Sequence, residues 1–168
     1  MHPVPRLRLA LPIAASLISG IASANAQTPL SEIEIRLEQV SCGMIACPRY
    51  EVIVHGDGIV EYHRADTYES RVRNISPDDV VAVVNKFLAA HFLDGPDAYD
   101  RYVPQIVRQG EVVEPASMTV TDVGRSDLAL RIGSRTKQVV LSYGYPASIR
   151  ELRELVDRIG GPDVWAGR

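Results

Sequence analysis

The chain has 168 residues, a formal net charge of −3, two lysines, two cysteines and one tryptophan. That length suits one ordinary domain that can bury a core without a metal or several disulfides. A mildly acidic chain with no basic stripe, internal repeat or low-complexity tract lacks the electrostatic footprint of a nucleic-acid or anionic-lipid binder, so neither is expected as a partner.

The first 26 residues read as an export signal. Arg6 and Arg8 form a short cationic start, Leu9 to Ile21 form an apolar run, and Ala24-Asn25-Ala26 offers the small residues a signal peptidase accepts, which predicts cleavage between Ala26 and Gln27. The run is shorter than the roughly 20 residues of a membrane span and contains Pro12, so no span is expected in the mature chain. No cysteine follows the cleavage site to carry a lipid. The leader holds two of the eighteen Lys and Arg and none of the 21 Asp and Glu, so residues 27–168 carry a net charge of −5. The expectation is a periplasmic or secreted protein with a signal peptide at 1–26, a flexible lead-in at 27–31, one domain at 32–160 and a tail at 161–168 containing Trp165.

Along the mature chain, Ile33, Ile35 and Leu37 alternate with Glu32, Glu34, Arg36 and Glu38 in the period of a half-buried strand. Val40 to Pro48 interrupts with the cysteines, and Tyr50, Val52 and Val54 resume the alternation. Gly56-Asp57-Gly58 suits a three-residue hairpin loop with Gly58 in the left-handed region. Centring the loop on Asp57 pairs Val54 with Val60 and Val52 with Tyr62 on one face, and Ile53 with Glu61 and Glu51 with His63 on the other.

Ser76-Pro77-Asp78-Asp79 starts a helix: a hydroxyl N-cap, proline in the first turn and two carboxylates at the positive dipole end. Its apolar stripe is Val80, Val83, Val84, Phe87, Leu88 and His91, and Gly95-Pro96 stops it. Residues 97–117 read as a long loop with one short strand at Val112-Val113. Leu128, Leu130 and Ile132, then Val139, Leu141 and Tyr143, alternate around a turn at Gly133 to Arg135 and predict a second hairpin. Pro146 opens a last helix with stripe Ile149, Leu152, Val156 and Ile159, stopped by Gly160-Gly161-Pro162. The fold class expected is α+β, a single domain with an antiparallel sheet of two hairpins and two amphipathic helices packed on one face.

Cys42 and Cys47 are the only cysteines, and in an oxidising compartment they are expected to form a disulfide, Cys42-Gly43-Met44-Ile45-Ala46-Cys47 closing a loop worth about 2 kcal/mol in the entropic model. A thiol-disulfide enzyme or redox sensor using the same pair is the alternative, weakened by the C-x4-C spacing and the strand-like flanks. The pair lacks two further ligands for a metal, and His55 and His63 are not cross-strand partners, so no metal site is predicted. His63 opposite Glu51 reads as an exposed polar pair, and His91 as a residue favoured at the negative end of its helix. No nucleotide, calcium or zinc motif and no nucleophile elbow is present, and no cofactor is expected. A hydrolase would require a concave pocket with a nucleophile and base in hydrogen-bond reach.

The C-P-x-Y ending at Cys47 to Tyr50, the strand Tyr50 to Val54, the hairpin Asp57-Gly58-x-Val60-x-Tyr62, Ile75-Ser76-Pro77, and Thr121-Asp122 ahead of a final hairpin and helix resemble the bacterial domain of unknown function 6438 family over about residues 33–159. Members carry a C-x-G-x-C-P-x-Y run, whereas the cysteine loop here is one residue longer. The resemblance implies export and a paired cysteine loop, and no activity. The function expected is an exported, non-catalytic binding or envelope-accessory module whose partner is an envelope protein or a small ligand. Its contact surface is expected at the disulfide loop with Tyr50, Tyr62, Tyr99, Tyr102, Thr121 and Asp122.

Overall fold

The computed structural model describes residues 27–99 and 102–165; the leader expected at 1–26, with the Ala26 side of its cleavage site, lies outside them. The chain builds a seven-stranded sheet from β1 (Ile33–Cys42), β2 (Tyr50–His55), β3 (Ile59–Arg64), β4 (Glu69–Asn74), β5 (Ala98–Tyr99), β8 (Gly124–Ile132) and β9 (Arg135–Leu141). The spatial order is β4-β3-β2-β1-β8-β9-β5. Between β5 and β8 a separate two-stranded ribbon forms from β6 (Tyr102–Gln109) and β7 (Val112–Thr119). The helices are α1 (Pro77–Ala89), α2 (Ala147–Gly160) and the one-turn α3 (Pro162–Trp165).

The fold is α+β and a single domain, but its sheet is not the expected pair of antiparallel hairpins. It is mixed, because β5 runs parallel to β9 with Tyr99 beside Leu141. The two hairpins are joined at the centre, where β1 pairs with both β2 and β8. β4 was invisible to periodicity because Val72 is its only large apolar residue. It is an edge strand, with half-buried Arg71 and Arg73 opposite Tyr62 and Val60 on the core side, where inward charges discourage pairing with another sheet. The 97–117 segment likewise hid an eight-rung ribbon behind two prolines. Pro104 and Pro115 pair with Ser117 and Ile106, positions of the same parity, so both sit where a ladder strand needs no inward N–H and each blunts one outer edge.

One face of the sheet carries Ile35, Leu37, Val52, Val54, Val60, Leu128, Leu130, Val139 and Leu141, all buried. The buried stripes Val80, Val83, Val84 and Phe87 of α1 and Ile149, Leu152 and Val156 of α2 join these residues in the same core. The β2–β3 register matches the alternation argument, with Val54 opposite Val60, Val52 opposite Tyr62, Ile53 opposite Glu61 and Glu51 opposite His63. Gly58 adopts φ +94°, as the hairpin loop requires. α1 begins with a full capping box, Asp79 N–H donating to Ser76 Oγ at 3.1 Å and Ser76 N–H to Asp79 Oδ2 at 3.3 Å. Leu88 lies off its buried stripe and is exposed, and because the helix ends at Ala89, His91 lies beyond it in a left-handed conformation, not in its last turn.

Candidate functional site

The register shows what gathers at each end of the sheet. Gln39 faces Tyr50 and Ser126, Tyr50 faces Arg64, Arg64 faces Glu69, Ser126 faces Leu141, and Leu141 faces Tyr99. The cysteine loop, the β3–β4 turn, the ribbon and the β9–α2 connection therefore all leave the sheet at one end. Cys42 closes β1 and is disulfide-bonded to Cys47, their Cα atoms 5.8 Å apart. Gly43, at φ +70°, lies against the backbone carbonyl of Asp122, where a Cβ would collide, so the cysteine loop and the Thr121-Asp122 loop meet. Asp122 itself is left-handed, at φ +61°.

Beneath this loop the β1–β8 register slips between Gln39 and Ser41, just after Gln39, which strand alternation places on the core face in line with Ile35 and Leu37. Its Oε1 accepts from Ser126 Oγ at 2.8 Å and Arg153 Nη2 at 2.7 Å. Its Nε2 donates to the Ser41 carbonyl at 2.6 Å and lies 3.6 Å from Cys42 Sγ. Nearby, Tyr50 donates to Asp157 Oδ1 of α2 at 2.5 Å. Burial, reinforced by that hydrogen bond to a carboxylate, pushes the Tyr50 phenol well above the ordinary tyrosine range. The polar layer thus ties the bulge and the disulfide to α2; the strand period places Gln39 and Tyr50 on the core face but does not reveal their partners Ser126, Arg153 and Asp157.

The tyrosines expected on a contact surface separate. Tyr50 and Tyr62 are only 7% and 2% exposed, with ring centroids 5.7 Å apart, and belong to the core. Tyr99 is half-buried against Tyr145 at 6.5 Å. The side chain of Tyr102 lies outside the described residues. Thr121 and Asp122 are exposed. The large side chains offered to solvent at this end are instead Met44 at 81%, Ile45 at 75% and Tyr68 at 93%, with Tyr143 half-open. The ribbon adds exposed Ile106, Val112, Val113 and Met118.

On the sheet face opposite the core, His55 Nε2 and His63 Nε2 each lie 2.9 Å from a different oxygen of Glu61, and His63 Nδ1 lies 2.9 Å from Ser70 Oγ. These two histidine bonds hold the Glu61 carboxyl below the usual carboxylate range. Glu51, the register partner of His63, is ion-paired with Arg36 instead. His63 and Ser70 open onto a hollow of about 420 Å³ that also includes Arg49, Glu51 and Tyr68. No set of three or more His, Cys, Asp or Glu among the described residues is placed to hold a metal ion, and no described helix is long and apolar enough to cross a membrane. Compared with known proteins, the chain matches no family model and no curated protein.

Proposed function

We propose that the protein is an exported binding or envelope-accessory module of the domain of unknown function 6438 family, which grips a partner protein with the disulfide-loop end of its sheet. The observation that carries this reading is that exposed Met44, Ile45, Tyr68 and Tyr143 lie on connections leaving one end of the sheet, the end from which the ribbon with its exposed Ile106, Val112, Val113 and Met118 also departs. Exposed apolar side chains gathered in one region mark interaction surfaces, whereas scattered single ones are ordinary. The acidic balance of residues 27–168 favours a protein over nucleic acid or anionic lipid. A ribbon of two strands alone is marginal in water, which favours a partner against its faces. Its proline-blunted edges argue against strand addition as the mode of capture.

A photocrosslinking amino acid at Met44 or Ile106 should capture a discrete envelope protein, while the same group at Ile59, at the far end of the sheet, should not. Equal capture from Ile59, or none from Met44 and Ile106, would refute the assignment. A second reading, a thiol-disulfide redox role for Cys42 and Cys47, draws support from one contact. The Gln39 amide beside Cys42 Sγ would favour a thiolate there. Against it, the cysteines flank strand and irregular chain, with no helix N-terminus to depress a thiol pKa.

A further inference from the structure

We infer that Ser70, His63 and Glu61 form a site for hydrolysing small carboxylic esters on the open face of the sheet, separate in chemistry from the docking end. Three side chains from two adjacent strands line up as nucleophile, base and positioning carboxylate. Ser70 Oγ is 2.9 Å from His63 Nδ1, and His63 Nε2 is 2.9 Å from Glu61 Oε2. The charged Glu61 can only accept, so His63 carries its proton on Nε2 and leaves the Nδ1 lone pair for the Ser70 hydroxyl. That is the acid–base logic of a serine nucleophile, with the two ring nitrogens exchanged relative to the commonest arrangement. His55 Nε2 holds the other Glu61 oxygen at 2.9 Å, so the positioning carboxylate is itself fixed.

The backbone places these groups by strand geometry. Glu61 and His63 are two apart on β3 and share a face, and Ser70 is the direct cross-strand partner of His63 on β4. Ser70 is exposed and lines the hollow of about 420 Å³ with His63, so an ester can reach it. In the reaction Ser70 Oγ attacks the ester carbonyl carbon as its proton passes to His63 Nδ1. The carbon–oxygen bond to the alcohol breaks, and the departing alkoxide takes that proton. Water, deprotonated by His63, then cleaves the acyl-Ser70 bond, releasing the carboxylic acid and restoring the hydroxyl. A row of exposed polar residues would form similar hydrogen bonds without reacting, and the test separates the two.

The full chain is treated with p-nitrophenyl acetate and, in parallel, with a fluorophosphonate, and adducts are mapped by mass spectrometry. The expected result is one adduct on Ser70, with turnover and labelling lost in Ser70→Ala. His63→Gln should slow labelling by roughly 10²–10⁴-fold, the usual share of a general base. Glu61→Gln should lower kcat with KM unchanged, and imidazole nitrogen NMR should find the His63 proton on Nε2 in the parent and redistributed in that variant. All three positions face solvent or are half-exposed, so unchanged thermal unfolding is expected and is checked alongside. Absence of a Ser70 adduct with both reagents, or ester turnover undiminished in Ser70→Ala, overturns the site.

Discussion

Gly160→Ala tests how α2 is seated. Gly160 is the last residue of α2 and is buried, and a Cβ built on it falls 2.5 Å from Val52 Cγ1 and 2.9 Å from Val60 Cγ1. Both valines are fully buried in the sheet, so neither can swing into solvent to make room. Carbon atoms pack best at about 3.5–4.0 Å, so the helix end must lift by about an ångström or the valines must leave their rotamers. Such overpacking costs about 1–3 kcal/mol. Alanine returns up to about 1 kcal/mol of helix propensity in a helix interior and less at a terminal position. The packing term therefore wins, and a net loss of about 1–2 kcal/mol is expected. Urea unfolding followed by circular dichroism should show a lower midpoint at unchanged slope, with Tm reduced by several degrees. A variant as stable as the parent would mean that the end of α2 does not rest on Val52 and Val60.

Replacing both cysteines by serine should leave a cooperatively folding domain weakened by about 2 kcal/mol, since the closed loop is short; failure to fold in a refolding assay would contradict this. Gln39→Ala removes the acceptor shared by Ser126 and Arg153 and should cost about 1–3 kcal/mol by chemical denaturation. Tyr50→Phe should cost about 1–2 kcal/mol through loss of the bond to Asp157. Because the Tyr50 phenol ionises higher folded than unfolded, its contribution is fully present below about pH 10 and is lost as pH climbs toward the folded pKa. The parent should therefore lose stability above about pH 10 more steeply than Tyr50→Phe, in denaturant titrations across the alkaline range.

The elements that periodicity or capping defines were legible: β1, the β2–β3 hairpin with its register, the capped start of α1, the β8–β9 hairpin and α2. Each buries one face by a regular period or announces itself with residues whose backbone preference is strong. β4 and the ribbon were not legible, because an edge strand with inward arginines and a ribbon containing Pro104 and Pro115 carry little apolar alternation. Their strand state comes from pairing, which a local window does not contain. The parallel rung of β5 is two residues long and equally silent. For the candidate site, the disulfide was readable from cysteine count and spacing. The alternation that paired Tyr62 with Val52 already placed both on the core face, so the burial of Tyr62 was implicit in the register. The shared use of Glu61 by His55 and His63 depends on side chains leaning along and across the strands, which register alone does not fix.

In the proposed role the Cys42–Cys47 bond is a permanent staple that holds the contact end in shape. Equilibrating the protein in glutathione and then dithiothreitol buffers, with thiols trapped by alkylation and counted by mass, tests it directly. A structural bond predicts a midpoint below roughly −300 mV. A midpoint near −120 to −270 mV, roughly the range of dedicated oxidoreductases, would contradict the staple and make the pair a redox centre.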